Sequence, residues 1–420
     1  MPPELTPEDR AALNGERGEA TALAIRLVIA MADVMEAPSL IDVASAHIDG
    51  CLYHGRAGLD FARRLTDRGA RVAVPTTLNV SSLDLLHPEL VRLDRATAVE
   101  ARALMDAYVA MGCRATWTCA PYQLPERPTF GEQIAWAESN AIVFANSVIG
   151  ARTNRYGDFI DVCCAITGRA PLAGLHTDEG RRATVVFALE GVSEALVSSE
   201  AGAATVGHVV GRRTGTAVAA IVGLPAGTPE DHLRAVSAAA ASSGAVGMFH
   251  AVGVTPEAPT LEVATGGVPP ARTEAITTAD LRAARDELST VGPGTRIGAV
   301  SVGTPHLSLD GLARLAALMT DARPSIPLYA NVGRDTRARA DERGLTDDLE
   351  RAGTTLVSDT CTYITPVIRE TAGPVMTDSA KWAWYAPGNL GFDTAFGSIE
   401  ECVLSAAAGV VVRDEELWDD

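Results

Sequence analysis

The C-terminal half of the chain alternates short apolar runs with segments of helical periodicity. The runs are apolar along almost their whole length, which is typical of strands buried on both faces in a parallel sheet. The segments between them would cover those faces as helices. We therefore predict an α/β fold with parallel or mixed sheets covered by helices. The predicted strands are Ala217–Val222, Ile297–Val302, Ile326–Val332, Thr355–Ser358, Val375–Met376 and Val410–Val412, and the predicted helices are Asp231–Val252, Thr278–Leu288, Ser308–Thr320 and Thr336–Gly353.

The N-terminal half reads as mixed α/β. Thr6 is a candidate N-cap, with Pro7 at the first helical position. Helical periodicity predicts helices over Val99–Gly112 and Glu132–Gly150, and short apolar runs predict strands over residues 72–74 and 115–117. A chain of 420 residues is expected to hold more than one domain. We divide it into an N-terminal α/β region, 1–210, and a C-terminal α/β region, 211–420.

The charge balance and the cysteines exclude several classes of protein. With 35 Lys and Arg against 53 Asp and Glu, the formal net charge is −18, which disfavours binding to nucleic-acid backbones. The seven cysteines are an odd number and form no CxxC pair, which argues against a disulfide framework. The opening residues lack a signal-peptide pattern, and no apolar stretch is long enough to span a membrane. We therefore expect a cytoplasmic protein with no membrane or nucleic-acid partner.

Polar and thiol side chains follow five of the predicted strands. Ligands of open α/β sheets bind outside the carboxyl ends of the strands, so these turns would meet in one crevice if their strands share a sheet. The five turns are 75–79, which contains Thr76 and Thr77; 118–122, which contains Cys119; 303–306, which contains His306; 358–363, which contains Cys361; and 377–381, which contains Ser379 and Lys381.

The thiols of Cys119 and Cys361 are candidate ligands for iron–sulfur clusters, zinc or copper. Packing as small buried side chains explains them about equally well, because cysteines without disulfides are commonly buried. Cys402 follows a glycine-bearing turn that leads into a predicted helix. A helix N-terminus lowers the pKa of a thiol and favours the thiolate, so Cys402 is the third candidate.

The segment 146–155 ends in Arg152, Thr153, Asn154 and Arg155 directly after a predicted helix. Arginine forks bind carboxylates and phosphates in a bidentate manner. Cations that complement a helix C-terminus are the commoner explanation of such a pattern. Taken singly, His47 and His306 are more typical of structural than of catalytic histidines. The sequence contains no nucleophile elbow, dinucleotide-binding fingerprint or Walker A loop.

Taken together, these blocks resemble the aconitase X family. The matching stretches run in family order along essentially the whole chain, and GARTNR and TCAPY are the most specific. They are AHIDGCLYHG (46–55), VPTTLN (74–79), TCAPYQ (118–123), GARTNR (150–155), GTPHLS (303–308), SDTCTY (358–363), TDSAKWAWY (377–385) and FGSIEECV (396–403).

The resemblance implies an aconitase-like large subunit with its active site at the carboxyl ends of the strands. The implied activity is that of an iron–sulfur hydro-lyase acting on a small hydroxy acid, either cis-3-hydroxy-L-proline or mevalonate 5-phosphate. The implied cofactor is a 2Fe-2S cluster, or a 3Fe-4S or 4Fe-4S cluster, held by Cys119, Cys361 and Cys402. The family also implies a swivelling domain, which we expect on a separate small subunit that supplies a serine base.

Roles for the remaining residues are a hypothesis about how such a reaction would proceed, and Lys381 is preferred because it follows a strand and stands beside Trp382 and Trp384. Lys381, His306 and Ser379 are the predicted catalytic group. The predicted substrate-binding residues are Arg152, Thr153, Asn154, Arg155, Thr76, Thr77 and His47. Archaeal relatives carry a cysteine where this chain has Thr304, which shifts the expectation towards the hydroxyproline branch. Two alternatives belong to other classes of protein. One is a mononuclear zinc hydrolase, and the other is a non-catalytic binding or regulatory protein that acts without its cluster.

Overall fold

The computed structural model describes residues 2–369 and 373–419, and its chain forms two compact units. Unit 1 comprises Met1–Leu83 and Leu93–Arg182, and unit 2 comprises Asp84–Arg92 and Ala183–Asp420. The boundary predicted at residue 210 lies inside a helix, Glu200–Thr214, that belongs to unit 2. Among the described residues, no helix is long and apolar enough to cross a membrane.

Unit 1 is built around a small parallel sheet with the strand order β3-β2-β4. In its register, His47 of β2 lies between Thr77 of β3 and Trp136 of β4. A second, antiparallel pair joins β1 to β5. The elements of unit 1 are α1 Pro7–Leu13, α2 Glu19–Val34, β1 Leu40–Asp42, β2 Ala46–Ile48, α3 Arg56–Thr66, β3 Thr76–Leu78, α4 Arg95–Ala110, β4 Ala135–Trp136, α5 Ser139–Phe144, α6 Ile160–Thr167 and β5 Arg169–Pro171.

Unit 2 contains two parallel sheets, with the strand orders β8-β7-β6-β9 and β12-β11-β10-β13-β14. Its elements are β6 Val185–Leu189, α7 Glu194–Val197, α8 Glu200–Thr214, β7 Ala219–Val222, α9 Glu230–Ser243, β8 Phe249–Ala251, α10 Leu261–Thr265, β9 Arg272–Ile276, α11 Thr278–Glu287, β10 Ala299–Val302, α12 Leu309–Leu318, β11 Leu328–Asn331, α13 Arg334–Glu342, α14 Leu345–Ala352, β12 Thr354–Val357, β13 Val375–Thr377, α15 Ala380–Leu390, β14 Thr394–Phe396 and α16 Ile399–Ala408.

The five-stranded sheet confirms the prediction of parallel strands buried between helices. Every residue of β10 and β11 is buried. Most of their apolar side chains share one core cluster with Leu312 and Leu315 of α12 and with Val403 of α16. Burial of such side chains stabilises the fold by about 1.5–3 kcal/mol each. These runs are continuously apolar because the side chains on both faces of the strands are buried.

Two predicted strands of unit 1 are wrong. Over residues 72–74 the amides of Val72 and Ala73 donate to the carbonyls of Met111 and Ala165, in the C-cap of α4 and in α6, and the strand β3 begins only after Pro75. Over 115–117 the hydroxyl of Thr116 takes both backbone hydrogen bonds of Leu78. The Thr116 side chain thus replaces the backbone hydrogen bonds that a paired strand would form with Leu78.

Four other predictions needed correction. The predicted helix Asp231–Val252 ends at Ser243, because the backbone becomes extended at the C-cap Gly244, and its last residues form the strand β8. The predicted helix Glu132–Gly150 is divided into β4, α5 and a π-helical turn, Ala145–Ile149, because Glu138 has a positive φ of 74° and caps α5. The predicted helix Thr336–Gly353 is two helices, α13 and α14, which meet at Gly344 with φ 72°. Val410–Val412 is not a strand, and Val410 forms one isolated bridge to Arg296.

Candidate active site

Three of the predicted turns lie at one edge of the five-stranded sheet of unit 2. Residues 303–306 follow β10, residues 378–381 follow β13, and both strands pair directly. Residues 358–363 follow β12, which is separated from β10 only by β11. All these strands are parallel, so their carboxyl ends point the same way. This convergence confirms the sequence prediction for the C-terminal half.

His306 and Cys361 form a buried donor pair at this edge. Their ligand atoms lie within 4.8 Å of each other, and both residues are buried. Burial lowers the pKa of His306 to about 4, with smaller contributions from Arg234 and Lys381, so its imidazole is neutral near pH 7. A neutral imidazole and a thiol are both ligands that iron and zinc accept.

The loop that carries Cys361 rests on a buried polar network. The hydroxyl of Thr362 accepts a hydrogen bond from Trp382 Nε1 at 3.0 Å and shares one with Ser301 Oγ at 2.7 Å. Asn331 Nδ2 donates to the same hydroxyl and to the carbonyl of Val302. Since each partner comes from a different strand or helix, the network fixes the loop against the sheet.

The start of the same loop is held by two carboxylates. Asp359 has φ 60° and accepts a two-pronged contact from the Arg334 guanidinium at 2.5 and 2.6 Å. Asp84, from the short segment that joins unit 2, accepts the amide of Ser358 at 2.8 Å. A residue in the left-handed region needs such compensation, because this conformation costs about 1–3 kcal/mol.

Lys381 and Ser379 occupy the first turn of α15 and its N-cap. Lys381 is buried, and its ammonium lies 5.7 Å from the ring centroid of Tyr363. The Ser379 hydroxyl accepts the amide of Trp382 at 3.0 Å and donates to the carbonyl of Thr304. Ser379 therefore joins α15 to the turn after β10, and its predicted part in catalysis stays a prediction.

Thr304 lies beside a small polar cavity. Within the described ranges, its buried hydroxyl oxygen has no hydrogen-bond partner. Glu200, Arg234 and Asp378 line the cavity next to it. Arg234 bonds to Glu200 at 3.0 Å and to the carbonyl of His306 at 3.1 Å. Arg234 was not among the residues predicted from the sequence, because it lies within a predicted helix and follows no strand.

Asp378 also lines this cavity. Burial raises its pKa to about 7, and its carboxylate accepts the amide of Gly303 at 3.1 Å. It thereby links the turn after β13 to the turn after β10.

Cys402 lies in a different environment from Cys361. It is fully buried in the core cluster of the five-stranded sheet, together with Ile399 and Val403 of its own helix. The expectation that the N-terminus of α16 lowers its pKa is wrong: burial, followed by the charge of Asp378, raises that pKa well above its ordinary value. Whether Cys402 binds a metal stays a prediction.

Two neighbouring strands of the sheet in unit 1 carry His47, Thr76 and Thr77. His47 Nδ1 lies 2.8 Å from the hydroxyl of Thr77, and its Nε2 is buried with no partner in the described part of the chain. Burial lowers the pKa of His47 to about 3. The Thr76 hydroxyl bonds to its own segment, at Val74 O. His47 and Thr77 are thus a neutral polar pair.

Cys119 lies on a loop that is bonded to the end of β3 in unit 1. The amide of Thr118 donates to the carbonyl of Leu78 at the end of β3, and Asn140 donates to the carbonyl of Cys119 at 2.8 Å. The thiol is buried. The turn is thus held by side chains and the end of β3, although no regular strand precedes it.

The predicted substrate-binding segment 152–155 is largely engaged within unit 1. Arg152 pairs with Asp178 at 2.5 Å. Thr153 is buried, where its hydroxyl accepts the amide of Trp136, and Asn154 bonds to Ala173 and Leu175. Arg155 is exposed. These contacts order the segment but do not test its predicted role in substrate binding.

Asp49 and Asn79, which follow β2 and β3, were not predicted as site residues from the sequence. Asn79 Nδ2 donates to the carboxylate of Asp49. Their position directly after two paired strands of one sheet is the signal that could have identified them.

Models of three aconitase X domains match the chain in sequence order. The first domain matches residues 3–179, the second 183–286 and the third 297–408. The first of these boundaries falls close to the division between the two compact units.

Named relatives and a solved structure match almost the whole chain. The cis-3-hydroxy-L-proline dehydratase of Pseudomonas aeruginosa is 45% identical over 97% of this chain and 70% of its own length. The phosphomevalonate dehydratase large subunit of Methanothermobacter thermautotrophicus is 36% identical over 91% of this chain and 94% of its own length. The holo-form crystal structure of Thermococcus kodakaraensis aconitase X has a TM-score of 0.86 at 31% identity and covers 96% of this chain and 100% of that chain. This chain belongs to the aconitase X family.

Proposed function

We propose that this chain is the large, catalytic part of an iron–sulfur hydro-lyase that dehydrates cis-3-hydroxy-L-proline to a pyrroline carboxylate. The observation that carries the choice of substrate is the difference in identity between the two kinds of relative. The dehydratase from P. aeruginosa is 45% identical, against 36% for the archaeal phosphomevalonate subunit. Both kinds of relative are named dehydratases, so the reaction class is common to them.

The donor residues of unit 2 fit a bound iron centre. Cys361 supplies a soft thiol, His306 a neutral imidazole, and the buried hydroxyl oxygen of Thr304 has no partner among the residues described. Cys119 of unit 1 is our second thiolate ligand, on sequence grounds, whereas the apolar surroundings of Cys402 favour packing. A bound cluster, with two irons or with three or four, supplies Lewis acidity that eases loss of a hydroxyl.

Lys381 is our candidate for handling charge and protons at this edge. Its ammonium is buried beside an aromatic ring, where a fixed cation stabilises developing negative charge far better than it would in water. His306 stays neutral, so one of its ring nitrogens can donate a hydrogen bond and the other can accept one. Ser379 positions the turn that contains Thr304 through its hydrogen bond to the carbonyl of that residue.

Substrate binding is assigned to unit 1. Arg155 and Arg152 would bind the substrate carboxylate, and Thr153 and Asn154 would hold that segment in place through their buried contacts. His47 and Thr77 would present neutral hydrogen-bonding groups, with Thr76 ordering the start of β3. Bidentate arginine contacts are well suited to a planar carboxylate.

A small subunit that carries a swivelling domain would complete the enzyme. The archaeal relative is named a large subunit, and this chain spans 94% of it. The P. aeruginosa relative is longer, and this chain spans 70% of that protein. We also propose a cytoplasmic location, because none of the seven cysteines, all of which lie in the described ranges, forms a disulfide, as in a reducing compartment.

The test is a side-by-side assay. The chain is purified anaerobically with its small partner and given cis-3-hydroxy-L-proline or mevalonate 5-phosphate, with iron and labile sulfide measured on the same sample. We expect turnover of the hydroxyproline only, by a protein that contains iron. Turnover of mevalonate 5-phosphate alone would overturn the assignment of the substrate. A purified protein that contains zinc and no iron would overturn the assignment of the cofactor.

A further inference from the structure

The carboxyl edge of the sheet in unit 1 carries a pair of acceptor groups that no predicted role uses. Asp49 stands two residues after His47, immediately past β2, and Asn79 stands immediately past the neighbouring strand β3. The amide of Asn79 donates to the carbonyl of Ile48, so the two strand ends are held side by side. The side-chain amide of Asn79 then donates through Nδ2 to the carboxylate of Asp49.

This arrangement leaves an acceptor without a donor. Asn79 is buried, and because its Nδ2 is bonded to Asp49, the carbonyl oxygen of the same planar amide lies close to that carboxylate. This Oδ1 atom has no hydrogen-bond partner among the described residues. Nε2 of His47, in the neighbouring strand β2, has none there either. A buried acceptor without a donor costs about 1–3 kcal/mol of free energy. Asp49 and Asn79 are therefore suited to a ligand that brings N–H groups.

Asp49 is held in place by a buried carboxylate. Its amide donates to Asp161 Oδ2 at 2.8 Å, and Asp161 is fully buried in α6. The charged groups around this turn are mostly acidic: burial, followed by the charge of Asp158, raises the pKa of Asp161 to about 7. Burial also raises the pKa of Asp158, and His54 is the basic group that opposes this rise. A cation is therefore favoured at this place, and a phosphate is disfavoured.

We propose that Asp49 and Asn79 bind the secondary ammonium of the amino-acid substrate. The ring nitrogen of a protonated hydroxyproline has two N–H donors and one positive charge, which match a carboxylate and an amide oxygen. A phosphorylated hydroxy acid offers neither. This inference rests on the proposed function and adds a residue pair that selects a substrate with a basic nitrogen.

The decisive probes are L-proline and tetrahydrofuran-2-carboxylate, which has oxygen in place of the ring nitrogen. Binding of each to the iron-loaded complex with the small partner is measured by calorimetry. We expect the wild-type protein to prefer L-proline by about 10- to 100-fold, the range of one hydrogen bond to a charged group. Asp49→Asn keeps the shape of the side chain and should remove the preference by weakening L-proline binding alone.

Asp158→Asn is the matched control. It removes one negative charge near the same turn, and Asp158 has no part in the proposed contacts with the ammonium. Its preference for L-proline should stay as in the wild type. An equal loss of both ligands in Asp49→Asn, or a wild-type protein that binds the two probes equally, would overturn the proposal.

The outcomes separate this inference from the proposed function. Failure of the wild-type enzyme to dehydrate cis-3-hydroxy-L-proline contradicts the function, whereas the ratio of the two probe affinities tests Asp49 and Asn79 directly. The wild-type ratio needs no variant, so a variant that fails to fold leaves the proposal testable. Iron content and melting temperature, measured on each variant, identify such a failure.

Discussion

The loop that carries Cys361 and the helix that carries Cys402 each contain a completely buried thiol of unit 2, yet their surroundings differ. Cys361 follows a strand, lies within ligand distance of His306, and belongs to a loop fixed by a hydrogen-bond network. Cys402 lies among apolar side chains under the five-stranded sheet. Burial alone therefore does not make a cysteine a ligand, because the other donors around it decide whether a metal can be held.

Replacing Cys361 tests the comparison most strongly. Cys361→Ser should lower iron content and turnover by at least about 100-fold, beyond the range seen for groups that only support a ligand. The melting temperature should change little, because serine fills nearly the same volume. Iron analysis and an anaerobic dehydration assay measure both quantities, and full iron occupancy in the variant would remove Cys361 from the ligand set.

The network beneath the loop gives the next largest effect. Thr362→Val keeps the shape of the side chain but leaves the indole N–H of Trp382 buried without its acceptor. We expect the free energy of unfolding to fall by about 1–3 kcal/mol. Chemical denaturation of Thr362→Val, of Trp382→Phe and of the double variant measures the coupling, and the double variant should lose less than the sum. Strict additivity would show that this hydrogen bond does not stabilise the loop.

Cys402 should respond as a packing residue. Cys402→Ala removes one buried sulfur from the core cluster and should lower the free energy of unfolding by about 1–2 kcal/mol. Iron content should equal that of the wild type. If Cys402→Ala lost as much iron as Cys361→Ser, Cys402 would instead be a ligand of the iron centre.

The smallest effect concerns Glu401, the neighbour of Cys402. Burial raises the pKa of its carboxylate above the ordinary 4.5, so the folded protein binds this proton more tightly than the unfolded chain. The stabilisation from this group is present below about pH 4.5 and is lost as the pH rises through the raised value. Glu401→Gln keeps the capping box of α16 and should remove this part of the pH dependence. Melting curves from pH 4 to 8 for both proteins measure it, and identical slopes would contradict the assignment.

Elements that bury continuous apolar runs could be predicted from the sequence, whereas the strands of unit 1 could not. β10 and β11 are buried along their whole length, and the pattern of their residues shows this directly. β2, β3 and β4 have two or three residues each, too few for any period to appear. The hydroxyl of Thr116, which takes the place of a strand partner, leaves no trace in a hydrophobicity pattern.

The sequence by itself determined the fold class, the parallel sheet of unit 2 and the turns that carry His306, Cys361 and Lys381, because these depend on local periodicity and on the residues directly after each strand. Only the tertiary structure decided that Cys402 lies in apolar core, and that Asn79 donates to Asp49 while its own Oδ1 has no partner among the described residues. These properties depend on neighbours far apart in the chain, and it is the neighbours that set whether a buried polar atom is satisfied, charged or free to bind.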